Sequence, residues 1–317
     1  MLTPADFIRI PYHYDLTQAG ILYACRALVG EVVQPGHLDL DPLREMVVDV
    51  ATALAFRRCL AENHIPYRTL EVAPFSQPGL EQVILSGCGC HLINRNLGSR
   101  SWTDDLTSLC SAPASLAKAQ FDSDRLGPAD LLIFTYILLQ PNTRQREHDQ
   151  SNDFVYVFPA AWRNPRQPGS ITPCRLSFES TQRLILEIGG LGMDGQIQTE
   201  DLQLTAHQRT STGKDFSDLA YMVTQNLPSG LLSVQHGEPG KVLRISPDRW
   251  KKLGLDWKEI ILAGYMTVRD FRRRARRIRS ASHLFPELSL PLQAVYLQVG
   301  ELQTMRQLFA WVKEQPY

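Results

Sequence analysis

The sequence predicts a mixed α and β protein (α/β, or α+β) of two domains. Helices and a hairpin fill its first half, and a β-rich second half ends in a helical segment. Three observations carry that prediction. A length of 317 residues suits roughly two domains. Apolar residues recur at helical spacing from Leu43 to Leu60. Beyond about Pro165, short apolar runs alternate with turn residues instead. With 44% hydrophobic and 21% charged residues, the composition is that of an ordinary globular protein, which excludes a disordered tail, a collagen-like fibre and a small disulfide scaffold. Lys+Arg and Asp+Glu both number 33, so the total charge is silent about partners, although a balanced total can hide a local field.

In chain order, residues 1–40 are mixed, with Pro11-Tyr12-His13-Tyr14 ahead of an apolar helical stretch at 19–29. Asp41-Pro42 opens a stronger helix over 43–63, an Asp cap before a Pro at the first helical position. Residues 71–95 read as a hairpin: two short apolar runs, 82–85 and 88–94, are split by the Ser86-Gly87 turn. Residues 101–127 read as helical with one polar side. The nearly unbroken apolar run 131–139 is too short to span a membrane, which takes about 20 residues, so it reads as a buried strand or short core helix. Residues 154–158 form a further core element. The Pro/Gly-dense segment 164–169 marks a boundary, giving domains at 1–165 and 170–317. In the second domain 175–178, 184–188, 196–199 and 202–205 read as short strands of an antiparallel sheet or sandwich, with Gly189, Gly190 and Gly192 as turn positions. A helical tail follows, at 257–279 and 300–313. Residues 1–11 have no apolar core of signal-peptide length, and six irregularly spaced cysteines read as reduced thiols, so the expected location is the cytoplasm.

The sharpest chemical signal is 267–279, T-V-R-D-F-R-R-R-A-R-R-I-R. Thr267 with Asp270 three residues on resembles a capping box, and Val268, Phe271, Ala275 and Ile278 share one helical face. Arg269, Arg272, Arg273, Arg276, Arg277 and Arg279 occupy the rest. So many guanidiniums along about 18 Å of helix repel one another unless anions neutralise them. Phosphate backbones supply such anions and release condensed counterions in exchange. The competing reading pairs the arginines with the protein's own acids, such as Asp248, Asp256 or Glu287. The Cys88-Gly89-Cys90-His91 cluster has thiolate and imidazole donors that suit zinc. It lacks a second ligand pair, and small buried thiols are the simpler account. No G-x-S-x-G and no Walker loop is present, and His13, His37, His148 and His236 read as surface or loop residues.

The order helix (43–63), hairpin (71–95), helix (101–118) and core strands (131–158), together with A-L-A-F-R-R-C-L, I-P-Y, A-P-F-S-Q-P and V-I-L-S-G-C-G-C between Ala51 and Ile93, resembles the PD-(D/E)xK, or restriction-endonuclease-like, superfamily. The resemblance covers about the first 165 residues and implies a nuclease-like domain followed by a β-rich one. In that family an Asp on the first hairpin strand and an acidic-x-Lys triplet on the second hold a divalent cation beside the scissile phosphate. Carried over, those positions fall on Gln82, His91 and Ile93, which supply neither carboxylate nor amine. Glu81 would need a bulge to take the place of Gln82, because neighbouring strand residues face opposite ways. Glu45 and Asp49 on the preceding helix are the other fallback carboxylates. The expectation is therefore a pseudo-nuclease with no intact catalytic residues and no metal or other cofactor.

The function expected is non-catalytic nucleic-acid binding through Arg269, Arg272, Arg273, Arg276, Arg277 and Arg279, as a subunit or accessory factor of a bacterial defence or mobile-element assembly. The expected partners are nucleic acid, DNA ahead of RNA, and other protein subunits, with no membrane. Two alternatives stay open. One is a magnesium-dependent DNA endonuclease using Glu45, Asp49 and Glu81 in an altered geometry. The other is a structural adaptor whose arginines meet an acidic protein.

Overall fold

The computed structural model describes residues 1–11, 13–30, 40–70, 83–97, 106–124, 126–139, 154–160, 172–192, 194–207, 209–236, 242–254, 257–277 and 293–315. The chain forms two compact units, each discontinuous in sequence. The first comprises residues 1–16, 48–148 and 256–317, and the second 17–47 and 149–255.

A five-stranded mixed sheet organises the first unit. Its strands are β1 (Ile8–Pro11), β2 (Val83–Leu85), β3 (Cys88–Leu97), β5 (Leu131–Leu139) and β15 (Trp257–Thr267), in the spatial order β1-β15-β5-β3-β2. β3 runs parallel to β5, and the other pairs are antiparallel. Ser86 (φ 46°) and Gly87 (φ 80°) make the two-residue turn between β2 and β3, the positive φ values matching the twist of the flanking strands. Residues 131–138 are all buried, because β5 lies between β3 and β15 and is covered on both faces. That double cover is why its sequence reads as one apolar run.

A three-stranded antiparallel sheet, β16-β17-β4, accompanies it, formed by β4 (Pro113–Ala117), β16 (Arg276–Arg277) and β17 (Ala294–Gln298). Ala114 and Leu116 of β4 and Val295 and Leu297 of β17 join Ile93, Leu97, Leu132, Phe134, Tyr136, Leu138, Ile261 and Met266 in one core. Five helices are described: α1 (Tyr14–Gly30), α2 (Leu40–Glu62), α3 (Lys118–Phe121), α4 (Val268–Arg274) and α5 (Met305–Glu314). Asp41 lies inside the first turn of α2, where it accepts from Arg44 at 3.2 Å. Before α5 the chain passes so close to Gly264 that a Cβ there would lie 2.7 Å from the Gln303 carbonyl oxygen.

The second unit contains two antiparallel sheets. One has the order β14-β6-β11-β8-β9, from β6 (Phe154–Pro159), β8 (Leu184–Leu191), β9 (Ile197–Leu204), β11 (Asp218–Thr224) and β14 (Lys251–Gly254). The other has the order β10-β7-β12-β13, from β7 (Thr172–Glu179), β10 (Arg209–Phe216), β12 (Leu231–Gln235) and β13 (Val242–Ile245). Leu184, Leu186, Ile188 and Met222 of the first share a core with Cys174, Leu176, Phe178, Leu232 and Val234 of the second, which makes the unit a β-sandwich. Glu200 joins the sheets at their margin, accepting the Gly213 and Lys214 amides at 2.7 and 2.8 Å.

Several expectations are corrected. Among the described residues of 101–127, helix is confined to the single turn α3 (Lys118–Phe121), and 106–117 hold a 3-10 turn (Ser108–Ser111) and strand β4. The stretch 257–267 is a strand: Ile260, Ile261 and Leu262 sit between β1 and β5, and burial on both faces removes the alternation that marks a strand. The two strands expected at 196–199 and 202–205 are one, β9 (Ile197–Leu204), and Gly189 and Gly190 lie within β8. A Cβ at Gly189 would lie 2.2 Å from the Tyr221 ring, so close packing rather than a turn requires that glycine. His236 is buried, its Nε2 2.8 Å from the Phe216 carbonyl oxygen. The division at 1–165 and 170–317 would separate β15 from both its partners, whereas in the structure β15 belongs to the first unit. Segment 164–169 lies outside the described residues.

Candidate nucleic-acid interface

Strand direction brings the start of β3, the start of β5 and the end of β15 to one end of the five-stranded sheet. There α4 leaves β15 and is seated by its backbone on the loop before β5. The Val268 amide donates to the Asp130 carbonyl at 2.8 Å, and the Arg269 amide to the Pro128 carbonyl at 3.1 Å. Thr267 caps α4 as its sequence predicts: its Oγ1 accepts the Asp270 amide at 3.1 Å and donates to Asp270 Oδ2 at 3.0 Å. Phe271 is fully buried, its ring centroid 5.6 Å from that of Phe134 and 6.3 Å from that of Phe121. With Val268 and Phe271 turned into the core, the arginines of this short helix are left outside. α4 ends at Arg274, and the chain becomes the two-residue strand β16, paired with Val295 and Tyr296. The continuous Arg-rich helix expected over 267–279 is thus a two-turn helix followed by an edge strand.

Arg269, Arg272, Arg273, Arg274, Arg276 and Arg277 are all exposed. Arg272 caps α3, its Nη2 donating to the carbonyls of Phe121 (3.2 Å) and Ser123 (3.1 Å). Arg273 lies 3.3 Å from Asp270, and Arg274 and Arg276 share Glu301 Oε1 at 3.7 and 3.3 Å. Arg269 and Arg277 have no side-chain partner among the described residues. Arg279 lies outside them, as do Asp256 and Glu287; the acids that do pair are Asp270 and Glu301. Among the described residues six guanidiniums therefore meet two carboxylates, a positive excess of four. Exposed pairs of this kind contribute about 0–1 kcal/mol each, too little to withdraw the arginines from a polyanion. Arg274 and Glu301, both absent from the sequence-derived set, are the additions. Arg274 was legible in the arginine run itself, but Glu301 reaches the site only through the fold.

The residues matched to the nuclease motif lie differently. His91 is buried, its Nε2 3.2 Å from Asp130 Oδ2. The same carboxylate accepts the Gly89 amide at 3.2 Å and the Gly127 amide at 2.7 Å, tying the hairpin to the loop before β5. Ile93 packs in the core. Asp49 of α2 accepts from Asn94 Nδ2 at 2.6 Å. The β3–β5 register runs without a shift from Cys90 to Leu97, so Asn94 and Asp49 lie on the face of the sheet opposite His91 and Ile93. Asp49 cannot join them. Glu45 is exposed on α2, and Glu81 and Gln82 lie outside the described residues. Among the described residues no three His, Cys, Asp or Glu groups are placed to hold a metal ion, and the side chains at these positions do not fit one.

The thiols do not complete such a centre either. Cys90 faces away from His91, and burial pushes its thiol well above the ordinary range, as burial pushes that of Cys59 up to about 11. All six cysteines are free. No helix among the described residues is long and apolar enough to cross a membrane. Compared with known proteins, the chain matches no family model, no curated protein and no solved structure.

Proposed function

We propose that this protein binds nucleic acid without cutting it, holding the phosphate backbone on the arginine surface of α4 and β16. The observation that carries the reading is the charge imbalance: among the described residues six exposed guanidiniums face two carboxylates, on elements anchored by Phe271 and the β16–β17 pairing. Contacts of this kind go to phosphate oxygens and carry no base information. DNA is placed ahead of RNA as the ligand, and no bound cation takes part. The role in view is that of a subunit or accessory factor in a bacterial defence or mobile-element assembly, working in the cytoplasm, on a scaffold derived from the restriction-endonuclease-like fold. His91 and Ile93, where that motif needs a carboxylate and a lysine, support a site that no longer cleaves.

The test uses Arg269 and Arg277, whose replacement breaks no internal contact among the described residues. For the wild-type chain and a 30-base-pair duplex, affinity is expected to fall steeply with salt, with a log–log slope of about −0.9 per phosphate contacted. The variant R269E/R277E is expected to lose binding by at least about tenfold at 100 mM salt and to keep its melting temperature. Binding that ignores salt, or that survives the double charge reversal, refutes the proposal.

A further inference from the structure

We propose that Arg274 and Arg276 form a phosphodiester subsite that Glu301 occupies in the absence of nucleic acid, so that Glu301 sets the affinity of the arginine surface. The inference rests on the nucleic-acid reading above and names a site within it.

The geometry around Glu301 supports this assignment. Its two oxygens have separate tasks. Oε2 accepts the Gln298 amide at 2.9 Å and closes the 3-10 turn Val299–Glu301, which holds the carboxylate in place. Of the two carboxylate oxygens only Oε1 faces the guanidiniums, at 3.3 Å from Arg276 and 3.7 Å from Arg274, whose Nη2 also donates to the Glu301 backbone carbonyl at 3.4 Å. One oxygen between two guanidiniums is the arrangement a bridging phosphate oxygen would make. The pairs are also loose. Arg9–Glu259 and Arg58–Asp15, which tie elements of the fold together, close to 2.5 Å. Against those, 3.3 and 3.7 Å are the distances of a weak counter-ion. The guanidiniums are 60% and 41% exposed while Glu301 is 20% exposed, so the cations are free to turn outward and the acid is not. A phosphate arriving from solvent meets two arginines already aimed at one point, and Glu301 stays behind on Gln298.

An intramolecular carboxylate that must be given up weakens binding. It also flattens the salt dependence, because arginines paired internally release fewer ions on meeting DNA. Glu301→Gln removes the charge while its side-chain oxygen still accepts the Gln298 amide, so the turn is preserved. With a fluorescent 30-base-pair duplex titrated between 50 and 400 mM KCl, E301Q is expected to bind about three- to tenfold tighter than wild type at 100 mM. Its log–log slope is expected to be steeper by about one, for the single carboxylate charge removed. Glu314→Gln, an exposed acid at the end of α5, changes the net charge equally and serves as control; it is expected to leave the slope unchanged. Adding R274A/R276A to E301Q is expected to erase the gain. An unchanged slope in E301Q, or an equal gain in E314Q, overturns the inference. If no variant binds duplex, the nucleic-acid reading fails, and inorganic polyphosphate becomes the probe for the subsite. A gain confined to E301Q on polyphosphate supports an anion site at Arg274 and Arg276, and no gain overturns it.

Discussion

At the scale of the residue, burial and charge decide what each side chain does. Glu187 projects from β8 on the face opposite Leu186 and Ile188. There Tyr221 donates its hydroxyl to Glu187 Oε1 at 2.9 Å. Burial raises the Glu187 pKa against the smaller downward effect of the Tyr221 hydroxyl; the cross-strand neighbour Asp201 adds a lesser upward push and Arg26 a lesser downward one. A carboxyl whose folded pKa lies above its unfolded value costs nothing while both states are protonated. It costs stability as pH rises through the interval between the two values, because the unfolded chain ionises first. Wild type is therefore expected to lose stability relative to Glu187→Gln as pH rises above about 4.3, the ordinary Glu value. The two chains should match near pH 4. By pH 7 the variant should be the more stable of the two, because the wild type alone carries a partly buried carboxylate. Melting temperatures of both chains across that range check the sign; a variant whose stability relative to wild type falls from pH 4 to pH 7 contradicts it.

Single carboxylates also join elements. Asp130 accepts Gly89, Gly127 and His91 together, so one side chain ties the β2–β3 hairpin to the loop that starts β5. That loop in turn seats α4 through the Asp130 and Pro128 carbonyls, which places the fastening of the hairpin beside the root of the arginine surface. Asp130→Ala is expected to cost about 2–3 kcal/mol, since it strands polar donors at a mostly buried position. Urea unfolding measures that cost, and a loss below roughly 0.5 kcal/mol, the level of an ordinary surface change, would show that the contacts are incidental. α4 is too short to be stable by itself. Its anchor Phe271 and its Thr267 cap compensate, which explains how a segment so rich in like charges remains a helix at all.

At the scale of the whole molecule, the two compact units interleave along the chain. β15, from the last quarter of the sequence, is a central strand of the first unit, between β1 and β5. A fragment of residues 1–165 therefore lacks a core strand and leaves the edges of β1 and β5 unpaired. It is expected to aggregate, or to unfold without a cooperative transition, when examined by circular dichroism during heating. A soluble fragment with a sharp transition would contradict the strand order. Equal totals of acidic and basic residues also conceal how the charge is placed: the arginines cluster at one end of one sheet, and the balancing acids lie elsewhere in the chain.

What could be read locally was readable. The hairpin follows from two apolar runs around Ser86-Gly87, burial of 131–138 from its unbroken apolar run (though not strand against helix), the antiparallel strands of the second unit from short runs between turns, and the Thr267–Asp270 cap from two residues. Each depends on neighbours within a few positions, and propensity acts over that distance. The structure decided what depends on remote partners. Residues 257–267 became a strand because β1 and β5 flank them, and Glu301 met Arg274 and Arg276 from 25 residues or more along the chain. Asp49 was set across the sheet from His91 by the parity of β3. The arginines were legible as charge from the start, but which of them are paired depends on side chains that only long-range packing brings within reach.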